Sequence, residues 1–210
     1  MLTITGVRTW RELRGESCIC IDELPHKQSI CTSRSFPDGG LTNRADVEEA
    51  LANFAARCSS KMRRENTVCK AISIFAYTNR FRPDLPTDYI YQTYYPLVPT
   101  SDLNEIVGYA VGMLRSAWKG DGKFNYKKAG VLVWNIVDSS PIQGNLFDTF
   151  DREKQAQLSR AIDEINRKNG HNAIRMAVQG YSKKWHLKCE YISKQYTTNI
   201  DDIIKLKLNK

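Results

Sequence analysis

The sequence lacks any long apolar run, and no stretch approaches the roughly 18 residues that a membrane-spanning helix requires. Its opening stretch, MLTITGVRTWRELRG, carries charges where a secretory signal peptide needs an apolar segment. We therefore expect neither export nor a membrane span. The six cysteines are scattered at positions 18, 20, 31, 58, 69 and 189, which predicts reduced thiols in a cytoplasmic protein.

Grouped catalytic or metal-binding side chains are scarce as well. Cys18-x-Cys20 has no second cysteine or histidine pair at zinc spacing, and the three histidines stand far apart. Nucleotidyl transfer needs several carboxylates around two Mg²⁺ ions, whereas the run Cys20-Ile21-Asp22-Glu23 supplies only two. We interpret Asp22-Glu23, Glu48-Glu49 and Asp201-Asp202 as solvated charge pairs. No metal or cofactor is expected in this chain, and a metal-dependent nuclease is disfavoured.

The composition permits a nucleic-acid partner without requiring one. The formal net charge is +8 and the pI about 9.2, values that suit a polyanionic ligand. The hydrophobic content of 41% is that of an ordinary globular protein. A length of 210 residues holds one medium domain or two small ones, each able to bury a core.

The hydrophobic pattern predicts an α+β domain with the order β-α-β-β-α-β. Strands are predicted at 29–36, 70–78, 88–95 and 129–137. Two apolar stripes at helical spacing predict helices between the first and second strands and between the third and fourth; the stripes are Val47, Leu51, Phe54, Cys58 and Met62, and Leu103, Ile106, Val107, Ala110, Val111, Leu114 and Trp118. Capping boxes are predicted at Asp46-x-x-Glu49 and Asp102-x-x-Glu105. Both helices should cover one face of the sheet, leaving the other for a partner.

Four regions follow from this pattern. Residues 1–25 hold a helix end closed by Gly15, which suggests a part of a longer polypeptide, and then a linker. Residues 26–138 form the β-α-β-β-α-β domain, and residues 139–150 form a tether. Residues 151–210 form a small extension that begins with an amphipathic helix, and we expect this unit to be loosely held.

The tether contains the most informative short motif of the chain. Gln143-Gly144-Asn145-Leu146-Phe147 joins an amide that forms hydrogen bonds to a Leu-Phe pair that can enter an apolar pocket. Two interpretations are open from these five residues. The peptide is a ligand for a larger protein, or Leu146 and Phe147 fold back onto a neighbouring domain.

Several stretches together resemble one known family. The runs RTWRELRG (8–15), KQSICTSRSF (27–36), KAGV (128–131), QGNLFD (143–148), Trp185 and YTT (196–198) occur in a single order. This series resembles the C-terminal half of UmuC-like Y-family translesion DNA polymerases, whose type member is the catalytic subunit of DNA polymerase V. The resemblance covers essentially the whole chain, and SRSF and QxNLF are its most specific parts.

The resemblance implies the following roles. Residues 1–25 would be the end of the thumb and a linker, and residues 26–138 the little finger that grips primer-template DNA without sequence preference. The tether would bind the β sliding clamp through Gln143, Gly144, Asn145, Leu146 and Phe147. The usual family tether has leucine in place of Gly144, which predicts weaker clamp binding or a looser peptide. The family acts in the SOS response to DNA damage, and UmuD′ and RecA–DNA filaments are implied as further partners. The parent polymerase, not this part of it, would bind Mg²⁺.

Residues suited to phosphate oxygens surround the first strand and the start of the last. The expected DNA contacts are Lys27, Gln28, Ser29, Thr32, Ser33, Arg34, Ser35, Lys127 and Lys128. The alternative interpretation is a protein-interaction adaptor that uses the open sheet face and the tail to bind partner subunits, with DNA binding incidental.

Overall fold

The structure, a computed structural model, describes residues 3–18, 26–37, 39–140, 142–170, 172–182, 184–187 and 191–204. The main elements are α1 (Ile4–Leu13), β1 (Ser29–Ser35), α2 (Arg44–Arg64), β2 (Thr67–Thr78), β3 (Tyr89–Tyr94), α3 (Leu103–Ala117), β4 (Tyr126–Asp138) and α4 (Arg152–Asn169). Short 3-10 helices follow at Ala177–Gln179 and Ile200–Asp202.

Within the described residues, the four strands form one antiparallel sheet in the order β1-β4-β2-β3. Both β-α-β connections are split, because β4 lies between β1 and β2, and β2 lies between β3 and β4. Helices α2 and α3 share one core with the sheet, and this arrangement confirms the predicted α+β architecture. The core side chains that they bury include Leu51, Phe54, Ile72, Ile74, Ile106, Leu114, Val131 and Val133.

Of the two predicted capping boxes, the one at Asp102 forms only its N-cap half, because the Asp102 backbone N–H donates to the Thr100 hydroxyl at 3.0 Å and not to Glu105, and the one at Asp46 is wrong. Asp102 caps α3, and its carboxylate accepts a hydrogen bond from the Glu105 backbone N–H at 3.0 Å. Helix α2 instead begins after Asn43, whose side chain accepts a hydrogen bond from the Ala45 N–H at 2.8 Å. Asp46 therefore lies within the first turn, where its charge favours the helix dipole.

The extension is not loosely held, because α4 is fixed to both helices of the domain. Arg63 of α2 donates two hydrogen bonds to the carboxylate of Asp163, at 2.6 and 2.7 Å. Such a fork-to-carboxylate pair fixes orientation as well as distance. The Ser159 hydroxyl, which is buried, also lies 3.2 Å from the Asp102 carboxylate that caps α3.

A second contact anchors the chain after α4. Trp185 is only 2% exposed and packs edge-on against Phe54 of α2, with ring centroids 5.2 Å apart. Its indole N–H donates to Glu49 at 3.2 Å, and the Ser182 hydroxyl donates to the same carboxylate at 2.8 Å. Asn53 donates to the Gln179 carbonyl at 2.8 Å. The prediction of a loosely held extension is wrong because this small segment buries its apolar side chains against α2 instead of forming a core of its own.

Glu48 and Glu49 are not the solvated pair that the sequence predicts. Both are buried on α2, at 7% and 9% exposure. Glu48 receives two hydrogen bonds from Arg115, at 3.0 and 2.9 Å, and forms an ion pair with Arg44. Two buried carboxylates are tolerated here because each has hydrogen-bond donors. Asp201-Asp202 lies on the second 3-10 helix, where Asp202 accepts a hydrogen bond from the Gln195 N–H at 3.0 Å.

The cysteines that the structure describes are free thiols, as expected. Burial raises the pKa of Cys58 to about 11 and that of Cys69 to about 12, so neither is a reactive thiolate. Cys20 and Cys189 lie outside the described residues. Of the helices in the described ranges, none combines the length and the apolar character needed to cross a bilayer.

We predict that Trp185→Ala lowers the free energy of unfolding by about 3 kcal/mol or more, because it leaves a cavity beside Phe54. Trp185→Phe should lose less, since it keeps one aromatic ring beside Phe54 while removing the second ring and the donor to Glu49. Chemical denaturation of the 210-residue chain measures both. Tyr191→Ala, at a side chain 99% exposed, is the control and should change stability by less than about 0.5 kcal/mol. Equal stability of the Trp185 and Tyr191 variants would contradict the anchoring role.

Candidate DNA-binding face and clamp-binding peptide

Strand alternation gives the sheet a covered face and an open face. On β1, Ile30 is buried beneath the helices, whereas Ser29, Cys31, Ser33 and Ser35 are exposed on the other side. The register places Ser35 opposite Lys128 and Ser33 opposite Gly130 on β4, so these residues share the open face. β1 is also an edge strand of the sheet. A row of hydroxyls beside a lysine therefore lines one border of the open face.

The predicted DNA-contact residues divide between the two faces. Ser29, Ser33, Ser35 and Lys128 lie together on the open face, and Gln28 is exposed just before them. Three others already have protein partners elsewhere. The Thr32 hydroxyl contacts the Cys58 Sγ at 3.3 Å, the Arg34 guanidinium lies 3.1 Å from His186 Nδ1, and the Lys127 Nζ donates to the Phe36 carbonyl at 2.7 Å.

A basic cavity opens beside the start of this row. It has a volume of about 480 Å³ and is lined by Lys27, Ser29, Ile30, Lys61, Arg64 and Glu65. Lys27 and Glu65 form an ion pair, so the positive charge of Lys61 and Arg64 dominates the cavity. Polar groups of this kind suit phosphate oxygens, which carry no sequence information.

The open face also carries aromatic side chains that are not among the predicted DNA-contact residues. Phe75 and Tyr77 of β2 lie opposite Tyr91 and Tyr89 of β3, and these four residues are called the aromatic cluster below. Adjacent ring centroids are 6.1 to 6.4 Å apart. Aromatic residues at alternate positions, FAY in β2 and YIY in β3, are the sequence signal that marks them.

The predicted clamp-binding motif, residues 143–147, is called the clamp-motif peptide below and lies between the end of β4 and the start of α4. The Leu146 and Phe147 side chains are 95% and 80% exposed, so they do not fold back onto a neighbouring element. The peptide backbone is nonetheless ordered by its own polar groups. The Asn145 side chain accepts a hydrogen bond from the Phe147 N–H at 2.9 Å, and the Asp148 N–H donates to the Asn145 carbonyl at 3.0 Å.

An ion-pair chain fixes the downstream end of this peptide. Arg152 donates to Asp148 at 2.6 Å and to the buried Glu105 of α3 at 2.6 Å. The hydrogen bond from Arg152 holds the pKa of the Asp148 carboxyl below its usual range. This contact is therefore complete at neutral pH and is lost only as the pH falls through that lowered pKa. The Leu-Phe pair is thus presented from a point attached to the domain.

Side chains that could ligate a metal are not brought together in the part of the chain that the structure describes. There, no group of three or more His, Cys, Asp or Glu side chains could hold a metal ion, so no set fits the two Mg²⁺ ions of a polymerase. The run Cys20-Ile21-Asp22-Glu23 and His171 lie outside the described residues. His26 is exposed, and His186 lies beside Arg34.

Comparison with known families adds two matches. Residues 27–146 match the C-terminal domain of the impB/mucB/samB family, and residues 156–206 match a domain of unknown function, DUF4113. The first match spans the sheet, its two helices and the clamp-motif peptide up to Leu146. The second spans most of α4 and the segment that docks through Trp185.

Individual relatives agree with the family match. The chain is 37% identical to Protein UmuC of Salmonella typhimurium over 202 residues, which is 95% of this chain and 47% of that protein. It is 34% identical to Protein MucB of Escherichia coli, over 91% of this chain and 45% of that one. DNA polymerase IV of Clostridium acetobutylicum is 24% identical over 66% of this chain and 33% of its own length.

The chain thus spans about half the length of the curated relatives to which it is most fully aligned. Its family match is long enough to assign membership, and it confirms the UmuC-like resemblance drawn from the sequence motifs. The chain belongs to the impB/mucB/samB family and carries the C-terminal domain of that family.

Proposed function

We propose that this chain is the DNA-gripping and clamp-tethering part of a UmuC-like translesion polymerase that acts in cytoplasmic DNA repair and SOS mutagenesis. The main supporting observation is that a solvent-facing sheet surface with hydroxyls and lysine is followed by an exposed Leu-Phe peptide, whose downstream end is tied to α3 through Arg152. The names of the relatives, which include a DNA polymerase, support the same role. Catalysis with Mg²⁺ is assigned to other residues of the parent polymerase.

The proposed grip on DNA consists of contacts to the phosphates of the DNA backbone. Ser29, Ser33 and Ser35 supply hydroxyls, Lys128 supplies a positive charge, and the basic cavity with Lys61 extends the surface. These groups hold phosphates without reading bases, which suits an enzyme that copies distorted templates.

The clamp tether rests on exposure and preorganisation. The Leu146 and Phe147 side chains are free to enter an apolar pocket, and their turn is already formed before binding. A formed turn reduces the entropy lost on binding. The DNA grip and the tether then raise each other's effective concentration on clamp-loaded DNA, so that neither contact has to be tight.

A second candidate role is the binding of partner subunits such as UmuD′ or a RecA–DNA filament. It is favoured by exposed apolar side chains near the end of the chain. Tyr191 is 99% exposed, Ile192 63% and Ile200 82%. Exposed apolar side chains of this kind are candidate contacts for a protein partner.

We predict salt-dependent, sequence-independent binding of duplex and primer-template DNA. Lys128→Ala should weaken binding equally for all sequences and lower the slope of log K against log salt by about 1, because one phosphate contact is lost. Fluorescence anisotropy at several salt concentrations measures the slope. Lys154→Ala, an exposed lysine on α4, is the matched control. A slope that is flat for the native chain would refute the backbone grip.

We predict that the Leu146→Ala/Phe147→Ala variant abolishes binding to the β clamp, because it removes the apolar anchor. Surface plasmon resonance with immobilised clamp measures the loss. Tyr191→Ala/Ile192→Ala removes a comparably exposed apolar pair elsewhere and should bind as the native chain does. Retained affinity in the Leu146/Phe147 variant would show that the clamp contact lies elsewhere.

We predict that Gly144→Leu strengthens clamp binding several-fold. A Cβ at Gly144 would meet no atom within 4 Å, so the peptide accepts a side chain there without strain. The leucine restores the apolar residue usual in the family motif and reduces the freedom of the unbound chain. Gly144→Ala separates the two causes, since it supplies only the backbone restriction. No gain in either variant would mean that Gly144 does not limit the clamp affinity.

A further inference from the structure

In the aromatic cluster the two tyrosines of β3 are exposed, whereas Phe75 and Tyr77 of β2 are half-buried. Ile74 and Ile90, which point to the helices from the same strands, are buried and supply the core. In contrast, Tyr89 is 61% exposed and Tyr91 47% exposed on the open face. Exposed aromatic side chains that form one continuous patch commonly mark a binding surface.

A glycine joins the cluster to the row of hydroxyls on β1. Gly130 of β4 lies opposite both Phe75 and Ser33. A Cβ added to Gly130 would lie 2.4 Å from the Phe75 ring and 2.5 Å from the Ser33 Cβ. The Phe75 ring therefore lies over the backbone of β4 and reaches the neighbourhood of Ser33. Because no side chain separates them, the rings and the hydroxyls form one surface.

The chemistry of this surface matches a flat aromatic group attached to an anion. Tyrosine and phenylalanine rings stack on nucleobases, and hydroxyls and lysine bind phosphates. Lys128 lies opposite Tyr77 in the register, so a positive charge adjoins the rings directly. A duplex hides its base faces within its own stack, whereas an unpaired strand offers them to protein rings.

We propose that the aromatic cluster binds unpaired nucleotides by stacking, while Ser33 and Lys128 hold the phosphates of the same strand. This inference rests on the proposed DNA-binding function and adds a site for the single-stranded part of the DNA. An aliphatic protein partner fits less well, because the cluster contains three tyrosines and no aliphatic side chain and is bordered by a lysine.

The test compares single-stranded and duplex DNA on the full chain. Tyr89→Ala/Tyr91→Ala should lower the affinity for an oligothymidine of about 12 nucleotides by about tenfold or more, because stacking on two rings is lost. Its affinity for a duplex of the same length should change by less than about twofold. Fluorescence anisotropy at fixed low salt measures both affinities.

Two further variants separate stacking from other causes. Tyr89→Phe/Tyr91→Phe keeps the rings and should retain the single-strand affinity. Tyr181→Ala removes an exposed tyrosine outside the sheet, 80% exposed, and should have no effect. Circular dichroism melts check that all variants remain folded to the same extent.

Specific results would overturn the inference. Unchanged single-strand affinity in the alanine pair would do so, and this is the result expected if the cluster binds a protein instead. Equal losses for single-stranded and duplex DNA would also refute stacking. The two proposals can fail separately. If duplex binding has a salt slope that depends on Lys128 but the alanine pair leaves single-strand affinity unchanged, the grip on the DNA backbone stands and only the stacking site is refuted. A native chain that binds no DNA at low salt would refute both proposals.

Discussion

The structure depends on the covering of one face of the sheet and not the other. Helices α2 and α3 bury the alternate apolar side chains of every strand, and a shift of one residue in any pairing would exchange the buried and exposed sets. The register is therefore fixed by the core, and it also fixes which side chains face the solvent. The hydroxyl row, Lys128 and the aromatic cluster all owe their position on the open face to the burial of the alternate residues on the other face.

The second constraint is the docking of the extension on the outer side of α2. This helix is covered on one side by the sheet and on another by the segment around Trp185. Polar residues of α2 that would face water on a surface helix are therefore buried here. Glu49 and Asn53 are hydrogen-bonded across that contact. The segment that matches the domain of unknown function therefore packs its buried side chains, such as Trp185, against helix α2 of the preceding domain. Helix α4 is also held by the pair between Arg63 of α2 and Asp163, and Arg152 at its start ties the downstream end of the clamp-motif peptide to Glu105.

Much of the domain was predictable from local pattern, because apolar periodicity reflects which side of an element is buried. The order of strands and helices and the cap at Asp102 came from such patterns and are confirmed. The burial of Glu48 and Glu49 could not be read in this way, since their partners Arg115 and Trp185 are 67 and 136 residues away in sequence. The sequence also could not show that Arg34 and Ser33 face opposite sides of the sheet. That distinction depends on which alternate residues of β1 are buried.

The burial of Trp185 has a consequence for shortened forms of this protein. A stop codon just after the clamp-motif peptide would produce a chain with an intact sheet and both helices, yet with the Phe54 surface bare and the Glu49 carboxylate without its indole donor. Such a product would expose apolar surface to proteases and to aggregation. A minimal version of the module for biophysical work should therefore end beyond Trp185, and fusion partners at the C-terminus should leave this tryptophan free to pack against Phe54.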